Sequence, residues 1–151
     1  MNVSNDTNFD IKAIAQNCGL FGGMDDNLVI SNIDNLKTLY QSSQLVEIYN
    51  YMLSVATEPD VIMHIIRNLD VYRDPSSLEY LVDVLLLKNA NCSDSETKEK
   101  YNNVRVMCAK AIANQKNTDV VSSLLYCMNN KNENYRVRLA CADALGRIGH
   151  R

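Results

Sequence analysis

The sequence predicts an all-α chain assembled from repeated helix–turn–helix units. Three observations carry this reading. One segment recurs at a fixed offset. Apolar residues follow a helical spacing through most of the 151 residues. The residues that punctuate β-rich and loop-rich chains are scarce, with Gly 5 and Pro 2. The offset is plainest between VRVMCAKAIANQ from Val104 and VRLACADALGRI from Val137, which lie 33 residues apart. Val104 matches Val137, Arg105 matches Arg138, Cys108 matches Cys141, Ala109 matches Ala142, and Ala111 matches Ala144. The small residues on each stripe allow a neighbouring helix to approach closely.

The same template recurs upstream. Ile65, Ile66 and Leu69 occupy the places of Cys108, Ala109 and Ile112, now at an offset of 43. A second helix follows each first one. Leu78, Leu81, Val82 and Leu85 correspond to Val121, Leu124, Leu125 and Met128, spaced as one buried helical face. A fainter earliest unit puts Leu28, Ile33 and Leu36 on its first helix and Leu45, Ile48 and Met52 on its second. The expected organisation is an N-terminal segment 1–27 and a repeat region 28–151. The units are 28–60, 61–103 with an insertion, 104–136, and a partial unit from 137.

Local signals support the boundaries. The N-terminal segment is expected to hold a short helix near 9–18, then a turn at Gly19, Gly22 and Gly23. Thr57-Glu58-Pro59-Asp60 reads as an N-cap Thr with Pro in the first turn, and Asp74-Pro75 as an N-cap with Pro at the first helical position. The inserted residues fall within 88–100, where Ser93 and Glu96 have capping-box spacing. A helix from near Asp94 to about Ala113 is expected, its first ten residues projecting by about 15 Å at 1.5 Å per residue.

Charge is uneven. Residues 1–96 hold 14 Asp/Glu against 5 Lys/Arg, a net of −9, and residues 97–151 hold 10 Lys/Arg against 4 Asp/Glu, a net of +6. Solvated helix faces with uneven usage are the favoured explanation, ahead of a basic end that meets an acidic partner. The five cysteines (Cys18, Cys92, Cys108, Cys127, Cys141) form no CxxC pair, and His64 and His150 sit in no zinc-ligand spacing. Free thiols in a reducing cytoplasm are expected, with no metal and no cofactor. Cys108 and Cys141 read as small core residues and Cys92 as the most reactive thiol. No apolar run approaches a membrane span, and the opening MNVSNDTNFD has no basic region followed by an apolar stretch, so neither a span nor a secretory signal is expected.

The segment VRLACADALGRIG, residues 137–149, resembles a HEAT repeat of the HEAT-like (PBS-lyase) subtype. Val137, Arg138, Cys141, Ala142, Ala144, Leu145, Gly146, Ile148 and Gly149 fit that pattern, and the Val104 unit fits it less fully. The resemblance implies a right-handed α-solenoid that binds partners on its surface. The family often places Asp in the turn before the Val-Arg pair, making an Asp–Arg ladder. Here that stretch is Asn129-Asn130-Lys131-Asn132-Glu133, so Arg105 and Arg138 are expected to bond turn carbonyls instead.

The chain stops after the first helix of a unit. That is read first as a fragment of a longer protein and second as self-association through an uncovered C-terminal helix. The expected function is a non-catalytic scaffold for protein–protein interaction, with Glu79, Asp83, Arg105, Arg136, Arg138 and Arg147 meeting the partner. Two alternatives follow. One is a bilin lyase-like or chromophore-binding accessory protein, implied by the subtype. The other is nucleic-acid binding through Arg136, Arg138, Arg147 and Arg151, disfavoured by a pI of about 5.3 and by the absence of interleaved aromatics. Asp70, Asp74, Glu79 and Asp83 are expected to form one acidic side of their unit, and His64 to sit at a helix rim.

Overall fold

A computed structural model describes residues 9–87 and 94–149. Among these residues there are eight α-helices and no strand: α1 (Ile11–Asn17), α2 (Asp26–Asn35), α3 (Ser42–Val55), α4 (Pro59–Tyr72), α5 (Leu78–Leu86), α6 (Ser95–Gln115), α7 (Val121–Asn129) and α8 (Tyr135–Ile148). Helices pack mainly on the next but one along the chain. Even helices stack as α2 on α4, α4 on α6 and α6 on α8, and odd helices as α1 on α3 and α3 on α5. Hairpin contacts α3–α4, α5–α6 and α7–α8 tie the two layers together. The fold is an all-α solenoid.

The helices begin where the local chemistry allows. Asp94 caps α6, accepting from the Thr97 amide at 2.7 Å and the Thr97 hydroxyl at 2.8 Å. These bonds hold the Asp94 carboxyl below its usual range. The Ser93 half of the expected capping box lies outside the described residues, and Asp94 does that work. Asp74 caps the 3-10 turn Pro75–Ser77 that leads into α5, accepting from the Ser76 amide at 2.9 Å. Thr57 does not cap α4. Glu58 holds the N-cap position without a side-chain bond, and the Thr57 carbonyl instead accepts from the Tyr101 hydroxyl of α6. The glycine turn before α2 needs at least one glycine: Gly19 has φ +92°, and a Cβ there would lie 2.4 Å from the Met24 sulfur.

One core runs the length of the stack. Ile33, Tyr49, Ile65, Ile66, Ile112 and Leu124 are fully enclosed. On α6 and α8 the contact surface is made of small side chains, with Cys108, Ala109, Ala111 and Ala113 buried against neighbours and Cys141 and Ala144 buried opposite them. Two expected core positions shift. Leu28 is half exposed, while Val29, Ile33 and Leu36 form the buried row, because that i, i+4, i+7 row is the one turned inward. From the 3-10 turn before α7 into that helix the inward row is Val120, Leu124 and Cys127, and Met128 sits at its margin.

Replacing Ile65 by Ala removes a fully buried side chain between α4 and its neighbours. It is expected to lower unfolding stability by about 2–5 kcal/mol. Urea denaturation followed by circular dichroism checks this, and an unchanged midpoint would count against the enclosure described.

Candidate functional site

Two sets of side chains stand out: polar groups that tie the layers together, and a groove over the odd helices. Arg105 on α6 belongs to the first. Its side chain is only 3% exposed, and its Nε donates to the Leu85 carbonyl in the last turn of α5 at 2.8 Å. Its two terminal nitrogens clamp the Glu133 carboxylate, Nη1 to Oε1 at 2.8 Å and Nη2 to Oε2. A buried guanidinium is tolerated only when its donors are met in this way. Glu133 also accepts from the Asn134 amide at 2.9 Å, at the start of α8. Glu133 therefore supplies the carboxylate that the turn was expected to lack. Arg138, 33 residues after Arg105, repeats the first half of the pattern, its Nε donating to the Met128 carbonyl near the end of α7 at 2.9 Å.

A second polar line joins the even helices. His64 Nε2 lies 2.7 Å from Asp34 Oδ1, linking α4 to α2. The Asn114 amide donates to both oxygens of Asp70 at 3.0 and 3.1 Å, linking α6 to α4. Arg147 donates to Asn114 Oδ1 at 2.6 Å, and Arg136 to Glu99 and Asn103, linking α8 to α6. The expected acidic side is thus divided. Asp70 and Asp74 serve interhelical and capping bonds, whereas Glu79 and Asp83 stand exposed on α5. Of the six expected partner residues, Arg105 is inside the stack and unable to meet a partner. Arg136, Arg138 and Arg147 bond across helix junctions, and only Glu79 and Asp83 share one open helix face.

That face borders the groove. An open cavity of about 760 Å³ is lined by Asp10, Lys12, Glu47, Tyr51, Ser54 and Tyr80 among others. A second, of about 420 Å³, shares Ser54 and Tyr80 and continues to Asp83, Leu86 and Leu87. Together they follow α1, α3 and α5. The walls carry two tyrosines, exposed leucine surface at Leu87, and the carboxylates of Asp10, Glu47 and Asp83 against the single ammonium of Lys12. Sequence spacing pointed to Asp83; it did not point to Glu47, Tyr51 or Tyr80, which meet only when α3 and α5 stack.

Thiols lie elsewhere. Cys18, Cys108, Cys127 and Cys141 are free and buried, and Cys92 is outside the described residues. Burial pushes the Cys18 and Cys108 thiols up. Cys127 on α7 and Cys141 on α8 share a hydrogen bond. That bond, with burial second, keeps Cys141 protonated, while the bond from Cys141 favours the Cys127 thiolate. Among the described residues no three His, Cys, Asp or Glu side chains are grouped to hold a metal, and no helix is long and apolar enough to cross a membrane.

A solenoid of helix pairs, joined by an internal arginine–carboxylate clamp and grooved on one layer, defines the class. Residues 95–151 match the family model for HEAT repeats, so this part of the chain, from α6 onward, is similar to that family. Neither the curated proteins nor the solved structures yielded a match.

Glu133→Ala leaves the Arg105 charge buried without its partner and is expected to cost about 3–5 kcal/mol in chemical denaturation. The double variant with Arg105→Met should be less destabilised than the sum of the single changes. Strict additivity would show that the two side chains do not act together. For the thiols, enclosure dominates over ionisation. None of the four described cysteines should react with Ellman's reagent in the folded protein at pH 8, and all should react in urea. Mass-spectrometric mapping of fast labelling to Cys127 or Cys141 would contradict their burial.

Proposed function

We propose that the chain is a non-catalytic interaction scaffold that holds a protein segment in the groove over α1, α3 and α5. The family to which α6–α8 are similar is typically non-enzymatic, and its members commonly serve as protein-interaction scaffolds. The supporting observation is the groove itself, where aromatic and leucine surface is rimmed by Glu47, Asp83 and Asp10. Such a wall suits an amphipathic segment that seats apolar side chains and sets Lys or Arg along the acidic rim. Opposite charge chiefly raises the association rate and selects the partner, while the buried apolar anchors supply most of the affinity. Glu79, one turn before Asp83 on α5, is exposed but lines neither cavity.

The other two readings find less support in the geometry. Arg136 and Arg147, two of the arginines behind the nucleic-acid expectation, bond to Glu99, Asn103 and Asn114 of α6. A covalent chromophore would need an open thiol; the four described thiols are enclosed, and Cys92 lies outside the described residues. The HEAT-like subtype rests on residues 137–149 and adds no ligand to the proposal.

The test uses a fluorescent amphipathic peptide rich in Lys and Leu and a control with Glu in place of Lys. The basic peptide is expected to bind and the acidic control to fail. The variant with Glu47→Lys and Asp83→Lys should lose about tenfold in affinity, near 1.4 kcal/mol. Equal binding of both peptides, or no loss in the variant, would remove the groove from the account.

A further inference from the structure

Three hairpins of the stack, α3–α4, α5–α6 and α7–α8, carry the same two repeat positions. By the offsets of 33 and 43 residues these are held by Tyr51 and Ile65, then Val84 and Cys108, then Cys127 and Cys141. All but Tyr51 are buried. Apolar side chains of several shapes therefore satisfy the packing at these places, and only the third hairpin fills both with thiols.

In that hairpin Cys127 is 1% and Cys141 0% exposed, and the two share a hydrogen bond. A disulfide needs sulfurs near contact on side chains turned toward each other, and the shared bond shows that arrangement. Cys108, at the place of Cys141 on α6, is acted on by burial and by Arg105 rather than by another thiol. Around the pair lie the charges of the helix junction. The bond from Cys141 favours the Cys127 thiolate, burial and Glu133 oppose it, and Arg105 and Arg138 add to it. Arg138 is tied to the Met128 carbonyl, one residue from Cys127. The thiolate is the form that attacks an oxidant, and a second thiol beside it can capture the product.

We propose that Cys127 and Cys141 form a reversible redox pair, which a hydroperoxide converts to a disulfide that locks α7 to α8. The Cys127 sulfur attacks one peroxide oxygen and the oxygen–oxygen bond breaks. Cys127 becomes a sulfenic acid, and its proton leaves with the other oxygen, as water when the oxidant is hydrogen peroxide. The Cys141 sulfur then displaces the hydroxyl from Cys127, which departs with the Cys141 proton as a second water. Two thiols are oxidised and one peroxide is reduced. A dithiol reverses the change by exchange. Hydrogen peroxide is little larger than water and enters through local opening of the hairpin, which the bulkier Ellman's reagent does not follow. The closed loop includes Glu133, so oxidation also fastens the carboxylate that holds Arg105. The device lies in α6–α8, away from the groove over α1, α3 and α5.

Peroxide treatment of the folded 151-residue chain, followed by alkylation, trypsin and mass spectrometry, tests this. One cross-linked pair is expected, joining the peptide 117–131 to the peptide 139–147 and two hydrogens lighter than their thiol forms. Two of the five thiols should vanish from a count made in urea and return after dithiothreitol. The oxidised chain should unfold at higher urea than the reduced one, because the cross-link restricts the unfolded state. Cys127→Val, the side chain that Val84 supplies at the equivalent place, should keep the circular dichroism spectrum and give neither cross-link nor shift. Treatment that leaves both residues as thiols, or oxidises either without joining them, would overturn the proposal. So would a cross-link that forms only in urea, or one that joins Cys92 or Cys108 to either residue.

Discussion

Everything in this fold depends on one constraint: an inner even helix has apolar surface on two flanks and cannot hide both within its own hairpin. α6 shows this most clearly. Val104, Cys108 and Ala111 are enclosed on one flank and Ala109 and Ala113 on the other, so α4 and α8 must both be present. Burial at about 25 cal/mol per Å² of apolar surface makes the stack favourable only as a series. Small side chains at the contact bring the helix axes close and leave little room for variation in the crossing.

Polar groups make the series specific. The Arg105 guanidinium cannot be enclosed without partners, and it finds them at the end of α5 and just before α8. One side chain thereby fixes where three helices meet. The outer line through Asp34–His64, Asp70–Asn114 and Arg147 repeats the same task nearer to solvent, where each bond is worth less. Arg105, Arg136, Arg138 and Arg147 thus carry structural bonds between helices. The acidic excess of the N-terminal part remains partly open along the groove, and that contrast gives the scaffold reading its direction.

Much of this was legible in the chain. The repeat offset pointed to the successive helices from Val61 onward, because small and apolar residues recur at fixed places, whereas the close hairpins α3–α4, α5–α6 and α7–α8 cross the expected unit boundaries. The extension of α6 ahead of Val104 followed from Asp94 and the polar run after it. Leu28 was misplaced because a helix with apolar residues at 28, 29, 30, 33 and 36 permits more than one inward row. Thr57 was misread as a cap because a threonine just ahead of a Pro in the first turn satisfies the local rules, whereas the N-cap falls one residue later, at Glu58.

The sequence by itself determined the helical class and the succession of helices along the chain, since these depend on spacing within a few turns. Tertiary structure alone decided that Glu133 serves Arg105 and that Glu47, Tyr51 and Tyr80 border one groove with Asp83. Those relations join residues about 30 positions apart, and their distance is set by how closely helices pack rather than by any pattern along the chain.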